Sequence, residues 1–427
     1  MAPVLIVFAL LLASGAAFAY LMGATAVFAF FVNDKARYLA ILPQRIFAQL
    51  DVFAFMAMPL FILTGELMNR AGVTEALIRF ASALLGRFKG GLGYVNILTS
   101  VFFAGISGSA IADSAAISNT LVPAMRAQGY SAYYAGAVTA ASSMIGPIIP
   151  PSIIMIIYGG LIGTSVAALF VAGILPGLLL ALMLMAMNGY MAARHDHPGG
   201  DASSAPPIGA SFRHALPALS VPFVILGSIV FGVTTPTEGS ALAVLASIAV
   251  GVFYGRFSLA VFMDAVHATV RTIGAIFIIL CAIAVLGYLA GLLGWPQALA
   301  GWVDAFGLTG TGYLLALVVL FLVAGMFMDT PVALSLLVPL LAPTAIERGI
   351  DPVHLGIVLC FNLCIGLITP PLGKCLVVVS AITRIDYWRL AWATLPFVFV
   401  QIATLLLLVF FPQISLSLPR LFGLGAH

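Results

Sequence analysis

The sequence predicts an all-α polytopic membrane protein of two inverted repeats, each with a re-entrant helical hairpin and a broken transmembrane helix. Three observations carry this. The composition is 63% hydrophobic and 7% charged, where a soluble domain carries about 25% charged residues. Second, Gly105–Pro151 lies without a gap over Gly325–Pro371, 220 residues further on. The identities are Gly105/Gly325, Leu121/Leu341, Pro123/Pro343, Gly129/Gly349, Gly136/Gly356, Val138/Val358, Ile145/Ile365, Gly146/Gly366, Ile148/Ile368, Pro150/Pro370 and Pro151/Pro371. Most are Gly or Pro, whereas chance matches in an apolar chain fall on Leu, Ala and Val, so the shared backbone breaks mark two copies of one unit. Third, Arg70, Arg79, Arg87 and Lys89 precede the first copy, while the matching stretch before the second, Ala290–Gly310, holds no Lys or Arg. Positive charge favours the cytoplasmic side, which inverts one copy relative to the other.

In the first repeat, residues 1–193, the apolar runs Val4–Val32 and Phe53–Met68 are expected to be scaffold helices. Met1-Ala2-Pro3 offers no basic start, so the first run is read as a helix rather than a secretory signal. A hairpin is expected over about 96–128. Asn96–Ile106, about 11 residues, would run only about 16 Å as a helix and stop at mid-membrane. The chain must then turn through the small, polar Ser107–Asp113, and Ser114–Gln128 returns. A broken helix follows over 131–163; uninterrupted it would run about 50 Å, and Gly146–Ser152 breaks it. Arg194–Arg213, with Pro198, Gly199, Gly200, Pro206 and Pro207, reads as a cytoplasmic linker over 194–213, with His195, Asp196 and His197 in a solvated loop rather than a metal site.

The second repeat, 214–427, follows the same plan. Leu216–Phe231, Ser240–Tyr254 and Ile273–Leu293 are scaffold runs; the hairpin is expected over about 311–348 with its tip at Gly325–Pro331; the broken helix over 353–382 is interrupted at Gly366–Gly373. Arg126, Arg194, Arg213, Arg256, Arg384 and Arg389 fall on the cytoplasmic side of this path, whereas Lys35, Arg37, Arg45 and Arg348 fall outside, the first three on an expected interfacial helix.

Paired Gly/Pro interruptions inside hydrophobic segments point to the binding site of a secondary transporter. Unwound backbone at membrane depth is tolerated only against protein or a water-filled cavity. Freed carbonyls, hydroxyls and one carboxylate per tip suit a small hard cation such as Na⁺, and half-helix N-termini favour an anion. The candidate sodium ligands are Ser107, Ser109, Asp113, Gly146, Gly325, Asp329, Thr330, Gly366 and Thr369. Candidate substrate contacts are Pro150, Ser152, Pro370 and Lys374. Asp113 and Asp329 are costly at this depth without a partner and are read as ligands ahead of helix caps. The hydroxyls are balanced between ligation and satisfying local backbone. Lys374 is expected to snorkel to the cytoplasmic interface, with attraction of a carboxylate as the alternative. Gly146 and Gly366 are expected to leave helical geometry, where Gly alone carries no steric cost at positive φ. Glu66 and Glu238 read as structural, and Cys281, Cys360, Cys364 and Cys375 as packing residues.

No phosphate loop, dinucleotide fingerprint or His-Glu metal motif is present, and a net charge of +3 is too small to suggest nucleic acid. No nucleophile stands with a base or metal set, so an enzyme is not expected. No cofactor is expected, only Na⁺ as coupling ion. A channel also uses half-helices but needs no matched pair of inverted hairpins. Pro59–Met68 (PLFILTGELM), Ser107–Asp113 (SGSAIAD), Gly146–Ser152 (GPIIPPS), Thr235–Glu238 (TPTE) and Thr369–Gly373 (TPPLG) together resemble the large membrane subunit of tripartite ATP-independent periplasmic (TRAP) transporters. The resemblance covers essentially the whole chain. It implies an elevator-type ion transporter of the bacterial inner membrane, in which hairpins and broken helices move against a fixed scaffold. It also implies a small four-helix membrane subunit, expected as a separate chain, and a periplasmic solute-binding protein delivering a small organic anion. Sialic acid, four-carbon dicarboxylates, other sugar acids and keto acids all remain open, and a stand-alone sodium/dicarboxylate symporter is the nearest alternative.

Overall fold

A computed structural model describes residues 2–199, 206–308 and 310–424. Gly200 and residues 201–205 of the expected linker lie outside them. The described chain is helical, with an isolated backbone bridge between Lys89 and Gly199. Among the described residues seven helices are long and apolar enough to cross a membrane, or eight if Ala36–Leu50 and Phe53–Arg70, bent by 61°, form one span.

The helices recur in order. Phe18–Val32, Val73–Leu85, Gly91–Ser107, Ala110–Ala127, Ala132–Ser142, Ile153–Ile162 and Val166–Arg194 are followed by Pro236–Phe253, Trp295–Ala305, Gly310–Phe327, Thr330–Glu347, Pro352–Gly366, Lys374–Thr383 and Tyr387–Phe410. In each set the third and fourth helices form a hairpin, with an inbound and a return arm, and the fifth and sixth form the leading and trailing halves of a broken helix. Outside them, Leu259–Leu292 is 34 residues long, about 51 Å, and packs on Phe18–Val32 and Ala57–Arg70. Arg45, on the bent basic segment, stacks over Tyr288 of that long helix at 4.7 Å.

Inside, the repeats interlock. The return arm Ala110–Ala127 packs on the trailing half Lys374–Thr383 of the other repeat, and Thr330–Glu347 packs on Ile153–Ile162. Neither repeat completes its core alone, and one apolar cluster runs through both. Tyr158 shows how tight the join is: it is fully buried, and its hydroxyl donates to the Pro352 carbonyl at 2.8 Å. Its ring lies so close to Gly356 that a Cβ there would stand 2.5 Å away.

Three expectations are corrected. The first inbound arm begins at Gly91 and has 17 residues, about 26 Å, longer than the arm of about 11 residues expected. Gly90 caps it at φ +73°, and Gly93 packs so closely on Asn188 that the helix starts five residues before Asn96. The linker is not a free loop: Asp196 pairs with Lys89, and the His197 ring lies tilted against Tyr134 with ring centroids 4.2 Å apart. The Pro198 carbonyl accepts from Gly90 N at 3.0 Å and Tyr130 Oη at 3.1 Å, and a helix resumes at Ile208. Burial, with His195 and Lys89 nearby, holds the His197 imidazole below its usual range. Finally, each expected tip loop shrinks to two residues, because caps on both sides let the helices continue.

Gly356→Val should overpack the Tyr158 contact and destabilise the protein by about 2 kcal/mol. Thermal unfolding of purified protein checks this against Gly274→Val, where no atom lies within 4 Å of the new Cβ; equal melting of the two variants would deny that this contact is tight.

Candidate functional site

At the first tip, Gly108 ends the inbound arm at φ +60°, and the Ser109 hydroxyl accepts from Ala112 N at 3.4 Å to start the return arm. One turn later Asp113 is fully buried. Ser107 donates to its Oδ1, while Oδ2 has no partner among the described atoms. That free oxygen faces Gly146, where a Cβ would collide with it. A Cβ on Gly108 would lie 2.5 Å from the Pro151 carbonyl oxygen. The Ser152 hydroxyl donates to the Pro147 carbonyl and accepts from Met155 N at 3.5 Å, capping the trailing half. The whole break, Gly146–Ser152, is buried, Pro150 included.

The second tip breaks at Met328 and Asp329. Asp329 Oδ1 accepts from Thr330 N at 3.2 Å, and Oδ2 pairs with Lys374 Nζ at 2.6 Å. Thr330 Oγ1 is buried without a partner. Gly325 and Gly366 meet directly: a Cβ on Gly366 would lie 2.6 Å from Gly325 Cα. Thr369 Oγ1 donates to the Ile365 carbonyl at 2.7 Å. Pro370 is half-buried, Pro371 and Leu372 are exposed, and both breaks hold a cis Pro–Pro bond. Cys375 is buried, its helix packs on the return arm Ala110–Ala127, and Lys374 beside it pairs with Asp329. The start of Lys374–Thr383 therefore gathers groups from both tips.

The left-handed torsion expected at the two break glycines is not found. Gly146 has φ −50°, and Gly366 lies within its helix, so these glycines are set by space rather than by torsion; positive φ falls instead on Gly108 and Gly373. Lys374 is paired with a carboxylate, that of Asp329. Asp113 and Asp329 are not equivalent, since the register that joins the repeats places Asp329 over Ser109, the other return-arm cap. Ser109 and Thr369 spend their hydroxyls on local backbone. Glu238 closes a capping box with Thr235, and Glu66 lies 3.6 Å from Arg70, both as structural groups.

Other contributors escaped the sequence reading. The Tyr387 hydroxyl lies 2.8 Å from the Pro371 carbonyl and 3.1 Å from that of Leu372, holding the second break's freed oxygens. No pattern in the sequence marks it. Asn96 donates to Thr139 Oγ1 at 2.7 Å and accepts from Ser142 Oγ at 2.9 Å, a buried network joining hairpin to broken helix. A lone Asn in an apolar arm was its signal. Gly65, inside the PLFILTGELM segment, lets the scaffold approach the first tip; a Cβ there would lie 3.3 Å from Ser107 Cα.

The family model for the DctM component of tripartite ATP-independent periplasmic transporters matches residues 5–414. The chain is 38% identical over 380 residues to the sialic acid TRAP transporter large permease protein SiaM of Vibrio cholerae serotype O1, covering 89% of each. It is 36% identical over 397 residues to the C4-dicarboxylate TRAP transporter large permease protein DctM of Pseudomonas aeruginosa, covering 92% of each. Its fold is similar to the crystal structure of the Alcanivorax borkumensis YdaH transporter, with a TM-score of 0.64 at 17% identity over 92% of this chain and 90% of that one. With both hairpins and both breaks inside a match of this extent, the chain belongs to the DctM family of TRAP transporters and is a large, multi-pass membrane permease.

Proposed function

We propose that this permease imports a small organic anion across the bacterial inner membrane by sodium-coupled symport, moving its hairpins and broken helices as one body against the scaffold. The observation that carries the reading is the buried, half-satisfied carboxylate of Asp113 beside Gly146 and Ser107. An unpaired carboxylate oxygen is expensive at membrane depth, and a bound cation offsets that cost. Asp113, Ser107 and the Gly146 carbonyl form one sodium site. Gly325, Thr330, with its unpartnered hydroxyl, and the carbonyls of Gly366 and Thr369 form a second. The substrate lies between the breaks, near Pro150, Ser152, Pro370 and Lys374. Interlocked packing of return arms on trailing halves supports a single moving unit.

The relatives are named for sialic acid and C4-dicarboxylates, which supports an acidic substrate. Membership of a tripartite family favours the two partners over a stand-alone symporter: a small four-helix membrane subunit and a periplasmic solute-binding protein. Reconstituted into proteoliposomes with both partners, the permease should accumulate the binding protein's ligand only under an inward sodium gradient. Uptake at full rate in sodium-free buffer, driven by a proton gradient, would remove the sodium reading.

Asp113→Asn keeps the side chain's shape and removes the charge. It should cut sodium-driven uptake by about 10-fold or more and raise the sodium needed for half-maximal rate, with little loss of purified complex. Unchanged sodium dependence would place the ion elsewhere. Gly146→Ala and Gly366→Ala should each abolish most uptake, since the added Cβ meets Asp113 in one case and Gly325 in the other, while Gly274→Ala transports normally. Normal rates in both break variants would show that these close contacts yield without consequence.

A further inference from the structure

The second break carries an ion pair that the fold itself does not require. In the register joining the repeats, Lys374 corresponds to Ile154, a buried apolar residue, and Asp329 to Ser109, an uncharged cap. The first repeat builds the same tip and the same trailing helix without either charge. The Lys374 and Asp329 side chains are 40% and 35% exposed, beside exposed Pro371 and Leu372, whereas the first break is buried throughout. This pair therefore faces open space at the second break. The helix that Lys374 begins has no side-chain cap: its preceding residue is Gly373 at φ +47°, whereas the first trailing half is capped by the hydroxyl of Ser152, which lies over Leu372 in this register. Cys375 N donates to the Leu367 carbonyl at 3.0 Å, and the positive end of the helix dipole lies beside the Lys374 ammonium. What lies there is a carboxylate, supplied by the chain's own hairpin tip.

The geometry points to Lys374 as the residue that receives the acid group of the substrate, with Asp329 as an internal carboxylate that occupies it in the empty carrier and is displaced on binding. This rests on the transport reading above and adds a recognition residue and a competitor to it. Displacement has a structural consequence. Asp329 stays the cap of its return arm through Oδ1 but loses its tie to the second break, so the second tip is released from Lys374 as substrate binds. Because competitor and substrate share one lysine, their energies are coupled, and a double-mutant cycle measures the coupling.

The test is equilibrium binding of labelled succinate and labelled sialic acid to the purified permease with its small subunit, at fixed sodium. Lys374→Gln should weaken binding by about 10-fold or more, and Lys374→Arg should keep most of it. Asp329→Ser, which retains a cap as Ser109 does, and Asp329→Asn should each tighten binding by about 3-fold or more. In the Lys374→Gln background the Asp329 changes should have no effect. Neutral succinamide should not compete with succinate. Equal affinity in wild type and Lys374→Gln, or the same Asp329→Ser effect in both backgrounds, overturns the assignment while leaving sodium-driven uptake intact. If wild type, with both partners, accumulates no acid that its binding protein holds, the transport reading falls with it.

Discussion

Gly325 and Gly366 meet backbone to backbone, and in the other repeat Gly146 meets the Asp113 side-chain carboxylate. These contacts without a Cβ bring each hairpin tip onto its break. Unwound segments in a membrane leave carbonyl and N–H groups that lipid cannot satisfy. A tip pressed against each break covers that backbone: Gly146–Ser152 is wholly buried, and Pro371 and Leu372 stay exposed. The interlock of return arms with trailing halves then holds both assemblies in one core, so the placement of either tip depends on both repeats.

The two copies are alike in plan and unlike in chemistry. The first is buried and hydroxyl-rich: Ser107 and Asp113 at the tip, Ser152 closing the break on its own carbonyl. The second is partly open and charged, with Lys374 and Asp329 at its mouth and Tyr387 holding its carbonyls. A duplicated unit offers two equivalent positions, and here one is closed and uncharged at its break while the other is partly open and carries an ion pair. The helix Ala57–Arg70 comes up to the first tip at Gly65, and Pro222 of Ile208–Val230 packs against Gly105 of the inbound arm.

Much of this is legible in the sequence because glycine and proline act on the backbone itself. Their spacing locates tips and breaks to within a few residues, whatever surrounds them. Helix ends were less legible: the inbound arm starts at Gly91 because Gly90 and Gly93 fit against Asn188, a partner nearly a hundred positions away. The reason for Gly146 and Gly366 was misjudged, since torsion is local and crowding is not. The Lys374 pairing and the Tyr387 contacts bring together residues from different elements, and no single-segment pattern encodes such meetings. The docking of His197 between tyrosines was hidden by a composition that reads as linker.

One distance measurement bears on the central claim that elements of both repeats form a single body. Spin labels at exposed Ile111, on the first return arm, and exposed Val377, on the second trailing half, report across the repeat boundary; a label at exposed Leu245 reports on the scaffold. Pulsed electron–electron resonance on the reconstituted complex, with and without sodium and the binding protein's ligand, should leave the Ile111–Val377 distance unchanged while both distances to Leu245 shift together. A changing Ile111–Val377 distance against a constant Val377–Leu245 distance would contradict it.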